Sequence, residues 1–424
     1  MGTATSCTCS SASGPCLKRY PLTLKRVFKA FQYRDFRLQW IGACTSSIGT
    51  WMQAVAQSWL ILEMSKSPFL LGLDAFLGQI PILLFSLVGG VVADRMDRRR
   101  LLLASQLVQL TCAFTLALLL FFGVAQVPHI LTLSFVVGTA QAFGGPAYQA
   151  LIPSLVEPED MPNAIALNSI QFNLARVVGP AVGGWTFTRF GYTWCFFLNG
   201  LSFIAVIVTL LLMNTKFIPA KSEDSMLASM KQGVGFIRKQ RAMVSLIALA
   251  FLMTFLGIPL LTFLPVIARN VYHDADGRLF TTMMSVSGCG AILGALVVAG
   301  FGNIKRRGRV ALLILTCLGA GISSFALSRW LPLSMILLFV SGAALVGVFA
   351  MIASLAQLIT THEMRGRVMS VYNLAFRGGM PLGSLICGWL VPMFTAPVVI
   401  AANGLLLVLL GLYYLAAQRR VAAL

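Results

Sequence analysis

The stretch Gly89-Gly90-Val91-Val92-Ala93-Asp94-Arg95-Met96-Asp97-Arg98-Arg99-Arg100 lies between two apolar runs, each long enough to cross a lipid bilayer. It places four arginines and two carboxylates in a connection that has room for little more than a turn. Short connections rich in arginine are typical of the cytoplasmic side of membrane proteins. The stretch therefore predicts a polytopic membrane protein in which this turn is cytoplasmic.

The composition of the chain agrees with that prediction. Its 424 residues are 58% hydrophobic and only 11% charged, which is too much apolar surface for an ordinary soluble domain. The net charge of +19 raises the question of a nucleic-acid partner. Most of the lysines and arginines, however, fall in connections predicted to be cytoplasmic, and no patch of basic and aromatic residues stands outside them. We therefore expect a lipid bilayer around the chain and no nucleic acid.

The apolar runs predict twelve transmembrane helices in two groups of six, an all-α membrane fold. The first six are predicted at residues 37–62, 69–93, 101–123, 129–151, 164–187 and 194–213. The second six are predicted at residues 243–268, 279–301, 309–328, 332–356, 368–393 and 397–417. The predicted domains are a leader with an amphipathic helix (1–36), a first bundle (37–213), a linker (214–242), a second bundle (243–417) and a tail (418–424).

A short internal repeat supports this division into two bundles. Asn173-Leu174-Ala175 reappears as Asn373-Leu374-Ala375, and Gly179 and Gly183 are matched by glycines at the same offset of two hundred residues. The repeat predicts that the fifth span of one bundle corresponds to the eleventh span of the chain. A chance match remains the alternative, because the chain is rich in Ala, Gly and Leu.

The arginine-rich turn has the order Gly-x-x-Ala-Asp-Arg-x-Asp-Arg-Arg, which resembles the loop between the second and third helices of major facilitator superfamily transporters. Val92 and Asp97 depart from the usual Leu and Gly of that loop. The resemblance implies two six-helix bundles that alternate access to a cavity between them. It also implies that a carboxylate of the turn approaches the start of span eleven and holds the cytoplasmic gate shut. The residues that we expect to control this gate are Gly90, Asp94, Arg95, Arg98 and Arg99.

The predicted fifth span contains Gly179-Pro180-Ala181-Val182-Gly183-Gly184, which resembles a Gly-Pro-x-x-Gly-Gly signature of many exporters in the superfamily. That signature is thought to control how the two halves open. Close helix packing by small residues is the alternative role, and both can hold at once. The start of the first span, with Gly49-Thr50-Trp51-Met52-Gln53, resembles the subgroup of siderophore (enterobactin-type) and drug exporters. The additional gating residues expected from this motif are Gly179, Pro180, Gly183 and Gly184.

Ionisable residues inside the spans are expensive and therefore mark candidate functional sites. Asp74 lies about 9 Å from the predicted outer end of the second span, while Arg176 and Arg377 lie near the membrane midplane. We expect Asp74 to exchange a proton with the outside medium, and the two arginines to bind an anionic or polar group. The alternatives are a fixed pair between Asp74 and Arg377, a hydrated rim for Asp74, and structural roles for the arginines.

Amide side chains form a second set of candidates. Gln53 and Gln57 lie one turn apart on the first span, and Asn173 has its counterpart in Asn373. Such amides either line a cavity for a ligand of mixed polarity or join helices by hydrogen bonds. The fourth span has Gly144 and Tyr148 where the subgroup commonly has Asp and Arg, so a charge-based role at those positions is lost.

Together these features predict a secondary active transporter of the inner membrane, with both termini cytoplasmic, that exports a small amphipathic or siderophore-like compound in exchange for protons. A non-transporting receptor or assembly factor on the same fold is the alternative. An enzyme is not expected, because His129, His273 and His362 are far apart and lack metal-ligand spacing. We expect a monomer with a small-molecule substrate and with no cofactor and no metal.

Overall fold

The computed structural model describes residues 28–214, 226–300, 306–361, 363–417 and 419–422, and in these ranges it contains helices and no β-strand. The first six long helices are α1 (Arg34–Ser65), α2 (Pro68–Arg95), α3 (Arg98–Phe121), α4 (Val127–Leu151), α5 (Met161–Phe190) and α6 (Tyr192–Leu212). The others are α7 (Met226–Lys239), α8 (Arg241–Gly257), α9 (Pro259–Thr262), α10 (Leu264–Val271), α11 (Arg278–Gly300), α12 (Arg307–Leu327), α13 (Leu331–Leu358), α14 (Arg365–Phe394), α15 (Ala396–Ala416) and α16 (Arg419–Ala422).

The predicted spans match these helices to within about one turn, apart from the seventh. Ten helical segments of the described chain are long and apolar enough to cross a bilayer. The two other long helices, α1 and α5, have 32 and 30 residues and carry many of the polar side chains of the first half. Because both pack inside the first bundle, they complete the twelve spans of the predicted all-α membrane fold.

The seventh span is broken into α8, α9 and α10, whereas the sequence predicted one continuous helix. Pro259 and Pro265 each stand at the start of a new segment. A proline has no backbone N–H to donate and its ring collides with the preceding turn, so it interrupts a helix. Interior prolines in α2, α4, α5 and α14 are absorbed without a break. The position of a proline in an apolar run therefore did not predict which helix would be interrupted.

The leader contributes a short segment at the start of the described chain. The amphipathic helix predicted from Leu22 to Gln32 lies partly outside the described residues, and its described part is a 3-10 turn at Lys29–Gln32. Phe31 packs edge-on against Trp40 of α1, with their ring centroids 5.1 Å apart. The turn is thus held against the first half by aromatic packing.

The two halves share one packing pattern. In the first half α1 packs against α5, α2 against α4, α3 against α4, and α3 against α6. The corresponding pairs of the second half are α8 with α14, α11 with α13, α12 with α13, and α12 with α15. The same pairing order agrees with the relation between spans five and eleven that the sequence repeat predicted. Each half is therefore a six-span bundle, and one buried hydrophobic cluster continues from the first half into the second.

The halves meet along two helix pairs, α2 with α14 and α5 with α11. These pairs are equivalent to each other when the first half is exchanged with the second. The two halves also contact each other at the end of the molecule that holds Ser65 and Pro68. We call this end, which the sequence predicts to be external, the Ser65 end. The opposite end, which holds Arg98, is called the Arg98 end.

Aromatic and polar contacts close the Ser65 end. Trp59 of α1 stacks on Phe280 of α11 with ring centroids 5.9 Å apart, and Arg269 of α10 donates to the carbonyl oxygen of Leu62 at 3.3 Å. Gly277 lies directly against Trp59 and has a φ of +78°, a conformation that a side chain would strain. The described structure therefore shows a state in which the two halves touch at this end.

Candidate functional site

Asp74 lies on α2 and is held by hydrogen bonds from two other helices of the first half. The Nε2 atom of Gln57 on α1 donates to both carboxylate oxygens, at 3.0 and 2.9 Å. Ser134 of α4 donates to Oδ1 at 2.6 Å, and its hydroxyl accepts from the same Gln57 nitrogen at 2.9 Å. Among the described residues no salt bridge reaches Asp74, so the pair with Arg377 considered above is not formed. Within the described part of the chain, neutral donors position this carboxylate.

Asp74 borders a cavity of about 330 Å³, which we call the Asp74 cavity. Most polar residues of its wall come from the first half and include Gln53 and Gln57, which the sequence predicted as candidates. The second half closes it with Thr262 and Ser384, whose hydroxyls lie 3.1 Å apart. Because both halves contribute to the wall, a movement of one half against the other would change access to the carboxylate.

A second cavity, of about 270 Å³, lies nearer the Arg98 end between α2, α4 and α14, and we call it the Arg377 cavity. Arg377 and Asn373 of α14 are exposed to it one turn apart. No hydrogen bond or salt bridge holds the Arg377 guanidinium within the described structure. Gln149 faces it from α4, and the described lining contains no carboxylate. The chemistry of this wall suits an anionic or polar group, because a guanidinium offers a planar set of donors.

Gln141 of α4 lines both cavities and joins them. Its side-chain nitrogen donates to the Oε1 atom of Gln109 on α3 at 3.3 Å. Gln109 in turn donates to the hydroxyl and the carbonyl oxygen of Ser105, both at 3.3 Å. Gln141 is therefore a neutral side chain shared by the two cavities, and the amide of Gln109 on the neighbouring α3 holds it in place.

Arg176, the third ionisable candidate, lies apart from both cavities. Its guanidinium carbon is 5.9 Å from the ring centroid of Trp51 on α1, which is a cation–π contact. Trp51 also meets Phe172 edge-on, with ring centroids 6.3 Å apart. This arrangement favours the structural role that the sequence left open for Arg176.

The predicted amide candidates divide into two groups. Gln53 and Gln57 line the Asp74 cavity and Asn373 lines the Arg377 cavity, although Gln53 also accepts a hydrogen bond from Asn199 of α6 at 2.6 Å. Asn173 lines neither cavity, because its side chain donates to the carbonyl oxygen of Ser169 in its own helix at 2.8 Å. Asn173 and Asn373 are equivalent in the sequence repeat, but the structure places them in different surroundings.

The residues of the arginine-rich turn that the sequence predicted to control the gate are described in part. Gly90 lines the Arg377 cavity, Arg98 donates to the carbonyl oxygen of Ala150 at 3.1 Å, and Arg99 donates to that of Leu211 at 2.7 Å. Both acceptors lie at the carboxyl ends of helices, where a cation is favourable. The two arginines therefore fasten α3 to α4 and α6 within the first half. The side chains of Asp94 and Arg95 lie outside the described part of the structure.

Asp97, one of the two departures from the superfamily pattern, has a local role. Its Oδ1 atom accepts from the backbone nitrogen of Arg99 at 2.8 Å and from that of Arg100 at 3.4 Å. Such hydrogen bonds satisfy free N–H groups at the first turn of a helix and stabilise it by about 1 kcal/mol. Asp97 therefore caps α3 at the position where the pattern usually has glycine.

The glycine motif of α5 presents two faces. Gly179 and Gly183 lie against α1 of the same half, with the backbone oxygens of Ile48 and Met52 each 3.0 Å from the place a Cβ would take. Gly184 instead lies against Thr281 of α11, in the other half. The motif therefore packs the first bundle and also forms part of the contact between the bundles. Its control of how the halves open stays a prediction.

Ser134 and Gln141 were not among the predicted site residues. A single serine or glutamine in an apolar span gives no clear signal, because such residues also serve as hydrogen-bonding links between helices. Their separation of seven residues puts them on the same face of α4. That spacing was the one signal in the sequence that could have identified them.

Comparison with known proteins shows the family. The family model described as "Transmembrane secretion effector" matches residues 26–422. Macrolide efflux protein A of Streptococcus pyogenes is 22% identical over 367 residues, which cover 84% of this chain and 90% of that protein. The enterobactin exporter EntS of Escherichia coli O1:K1 is 26% identical over 391 residues, which cover 90% and 91% of the two chains.

Solved transporter structures share the fold. A bacterial homologue of the human lysosomal transporter Spinster, in an inward-facing and occupied conformation, matches with a TM-score of 0.73 and 17% identity, covering 92% of this chain and 97% of that one. The nucleoside transporter NupG matches with a TM-score of 0.71 and 13% identity, covering 90% and 98%. With the family match spanning nearly the whole sequence, the chain belongs to the transmembrane secretion effector family of the major facilitator superfamily.

Proposed function

We propose that the chain is a proton-driven exporter of a small amphipathic or siderophore-like compound that carries an anionic group. The direction of transport is supported by the names of its relatives, which include a macrolide efflux protein, an enterobactin exporter and a staphyloferrin A transporter. The anionic group is supported by the Arg377 cavity, where an arginine without a described partner faces neutral amides.

The observation that carries the proton-coupled mechanism is the position of Asp74. A carboxylate within a transmembrane bundle is costly unless it has a function or a counter-ion, and this one has neutral hydrogen-bond donors only among the described residues. When the Ser65 end opens, Asp74 takes up a proton from the external medium. When the Arg98 end opens, it releases that proton to the cytoplasm.

Gln141, whose neutral amide lines both cavities, couples the proton transfer at Asp74 to binding of the substrate. The anionic group of the substrate binds at Arg377 and Asn373, while the apolar part of the molecule extends along Ile82 and Leu83 of α2. Because the two cavities meet at Gln141, a substrate in the Arg377 cavity is separated from Asp74 by neutral side chains. Binding of a substrate in the Arg377 cavity and loss of the proton from Asp74 are then linked.

Proton-coupled flux in proteoliposomes tests the proposal. Purified protein is reconstituted with a proton-sensitive dye, and uptake of enterobactin, whose catechol groups are acidic, is measured under an imposed pH gradient. We expect Asp74→Asn to abolish substrate-linked proton movement while binding of the compound is retained. Glu159→Gln is the matched control, because Glu159 is an exposed carboxylate outside the bundle. If Asp74→Asn accumulates the compound against its gradient as well as the wild type, the proton role is wrong.

The substrate is identified by comparing the metabolites of a deletion strain and its medium with those of the parent strain. An exporter of an endogenous compound leaves that compound enriched inside the deletion strain and depleted in the medium. A protein that only receives or assembles other components leaves the distribution unchanged, and that result would contradict export.

We also propose that Asp94 and Arg95 hold the Arg98 end closed at the start of α14, that the chain is a monomer, and that both termini are cytoplasmic in the inner membrane. Asp94→Ala should then shift a distance measured across the Arg98 end toward the open state.

Labelling of single cysteines introduced at residue 5 and residue 422 with an impermeant reagent, in intact and in permeabilised cells, tests the orientation of the termini. An unchanged distance distribution, or labelling in intact cells, would contradict the respective proposal.

A further inference from the structure

A groove of about 450 Å³ lies between α5 and α11 at the Ser65 end, outside the two central cavities. One wall is formed by residues of the first half, among them Gly184, Trp185 and Arg189. The other wall is formed by residues of the second half, including Arg278 and Ser285. The groove therefore follows one of the two seams along which the halves meet.

The mouth of the groove is positively charged. Arg189 stands near the carboxyl end of α5 and is exposed, without a hydrogen bond or an ion pair to the rest of the described structure. Arg278 begins α11, and its Nε atom pairs with the Oδ2 atom of Asp276 at 2.9 Å. The side chains of this pair are 62% and 51% exposed, so the terminal nitrogens of Arg278 remain accessible. Two arginines against one carboxylate leave this site with an excess of positive charge.

The remainder of the groove lies on the outer surface of α5 and α11, which we expect the bilayer to surround. Trp185 is 61% exposed and meets Phe190 edge-on with ring centroids 5.3 Å apart. Aromatic residues of this kind are typical of the level at which the headgroups meet the hydrocarbon. Three threonines also line the groove, and each of their hydroxyls donates to a backbone carbonyl oxygen of its own helix: Thr188, Thr281 and Thr282. Further toward the midplane lie Ala181 and Ser285, whose hydroxyl donates to the carbonyl oxygen of Val177 at 3.2 Å. The groove is thus cationic at one end and largely apolar along its length.

We propose that this groove binds an anionic phospholipid. Its phosphate lies between Arg189 and Arg278, and one acyl chain follows Trp185 and Ala181 toward the midplane. A lipid fits better than a free anion, because the apolar length of the groove would be left exposed by an anion alone. Since the two arginines belong to different halves, the bound phosphate links the halves and favours the state in which the Ser65 end is closed. This site goes beyond the proposed transport function.

Native mass spectrometry of protein released from nanodiscs tests the site. Discs are made with equal amounts of phosphatidylglycerol and phosphatidylcholine, and the lipids that remain bound are counted. We expect the wild type to retain phosphatidylglycerol about fivefold in preference, and Arg189→Gln with Arg278→Gln to lose most of that preference. Arg329→Gln is the matched control, because Arg329 is an exposed arginine at the same end that does not line the groove.

Tryptophan fluorescence locates the bound lipid. Phosphatidylglycerol with brominated acyl chains should quench a component of the wild-type fluorescence that is missing in Trp185→Phe. The same quenching should be absent in the double arginine variant. If that variant does not fold, Arg189→Gln alone is measured, because its side chain has no structural partner in the described part of the chain.

Three results would overturn the proposal. These are equal retention of the two lipids by the wild type, an unchanged preference in the arginine variants, and displacement of the lipid by millimolar inorganic phosphate. The last result would mean that the site recognises a free anion. Loss of the preference in the arginine variants without any change in transport would support the lipid site and leave the transport proposal untouched, so the two proposals fail separately.

Discussion

Helices α5 and α14 occupy equivalent places in the two halves, and they are alike on one face and different on the other. Each packs a pair of glycines against the first helix of its own half, Gly179 and Gly183 against α1, and Gly379 and Gly383 against α8. These are the positions that the sequence repeat relates. The faces that build each bundle therefore follow the repeat.

The faces directed toward the centre do not follow it. Asn373 is exposed to a cavity, whereas its counterpart Asn173 bonds to its own helix. Arg377 lines the same cavity as Asn373, but it lies 201 residues after Arg176, so the two arginines are not counterparts in the repeat. The carboxylate of the site, Asp74, belongs to the first half and has no equivalent acidic residue among the described linings of either cavity. The comparison teaches that the repeat specifies the architecture, while the charged side chains that line the two cavities are divided unequally between the halves.

We expect the largest effect on stability from substitutions on the faces of α5 and α14 that pack against the first helix of their own half. A methyl group on Gly383 would overlap the backbone oxygen of Phe255, while one on Gly183 would meet the Val55 methyl at 2.8 Å and the Met52 oxygen at 3.0 Å. We expect Gly383→Ala to lower the free energy of unfolding by about 2 kcal/mol, because backbone must move, and Gly183→Ala to cost less.

Thermal unfolding in detergent, followed by the yield of monodisperse protein, measures this difference. Gly366→Ala is the matched control in α14, because nothing lies within 4 Å of its added methyl group. A cost for Gly183→Ala that exceeds the cost for Gly383→Ala would break the comparison of the packing faces.

The next largest effect is expected on substrate affinity, from a substitution of Arg377 on the face of α14 that lines the Arg377 cavity. Arg377→Gln removes the charge while keeping a hydrogen-bonding side chain, so we expect about a tenfold weaker apparent affinity for an anionic substrate. A neutral compound that is also transported should be affected less. Equilibrium binding by fluorescence quenching measures both, and equal losses for the two compounds would contradict recognition of an anionic group.

Arg176 should show a smaller effect because its contact is with an aromatic ring. We expect Arg176→Gln to change the apparent affinity by less than about threefold and to lower stability by about 1 kcal/mol, the usual size of a cation–π contact. Trp51→Leu should give a similar change in stability. A tenfold loss of affinity in Arg176→Gln would place it in the substrate site and would make the two halves more alike than the structure indicates.

The smallest effect on stability is expected from the residue that precedes α5, and this effect depends on pH. Asp160 precedes α5 and is paired with Lys29 at 2.7 Å, whereas α14 is preceded by Met364. The hydrogen bond from Lys29 is the main cause that lowers the pKa of Asp160, and a second hydrogen bond from Tyr33 acts in the same direction. A carboxyl group whose pKa is lowered by folding stabilises the protein above its unfolded pKa of about 3.9, and this stabilisation is lost as the pH falls further.

Asp160→Asn should therefore unfold at a lower temperature than the wild type between pH 5 and pH 7, and the difference should shrink below about pH 4. Glu159→Gln, one residue earlier and exposed, is expected to show no such trend. A difference that grows as the pH falls would contradict the pairing of Asp160 with Lys29.

Several parts of the site were predictable because burying a charge in a membrane is expensive. That cost singled out Asp74 and Arg377 from the sequence, and both line cavities between the halves. Ser134 and Gln141 were missed because neutral polar residues are tolerated in many places within a bundle. The break in span seven was missed for a related reason, since the effect of a proline depends on which neighbouring groups satisfy the freed carbonyls.

The sequence by itself determined the membrane fold, the number of spans and the family, because long apolar runs and the arginine-rich turn constrain the chain locally. Only the tertiary structure decided which polar side chains meet. Gln57 and Gln171 look equivalent in the sequence, yet Gln57 holds Asp74 in a cavity while Gln171 bonds to Ser47 of α1 in the packed interior. Helical periodicity fixes the face on which a residue stands, whereas the helix that covers that face depends on the packing of the whole bundle.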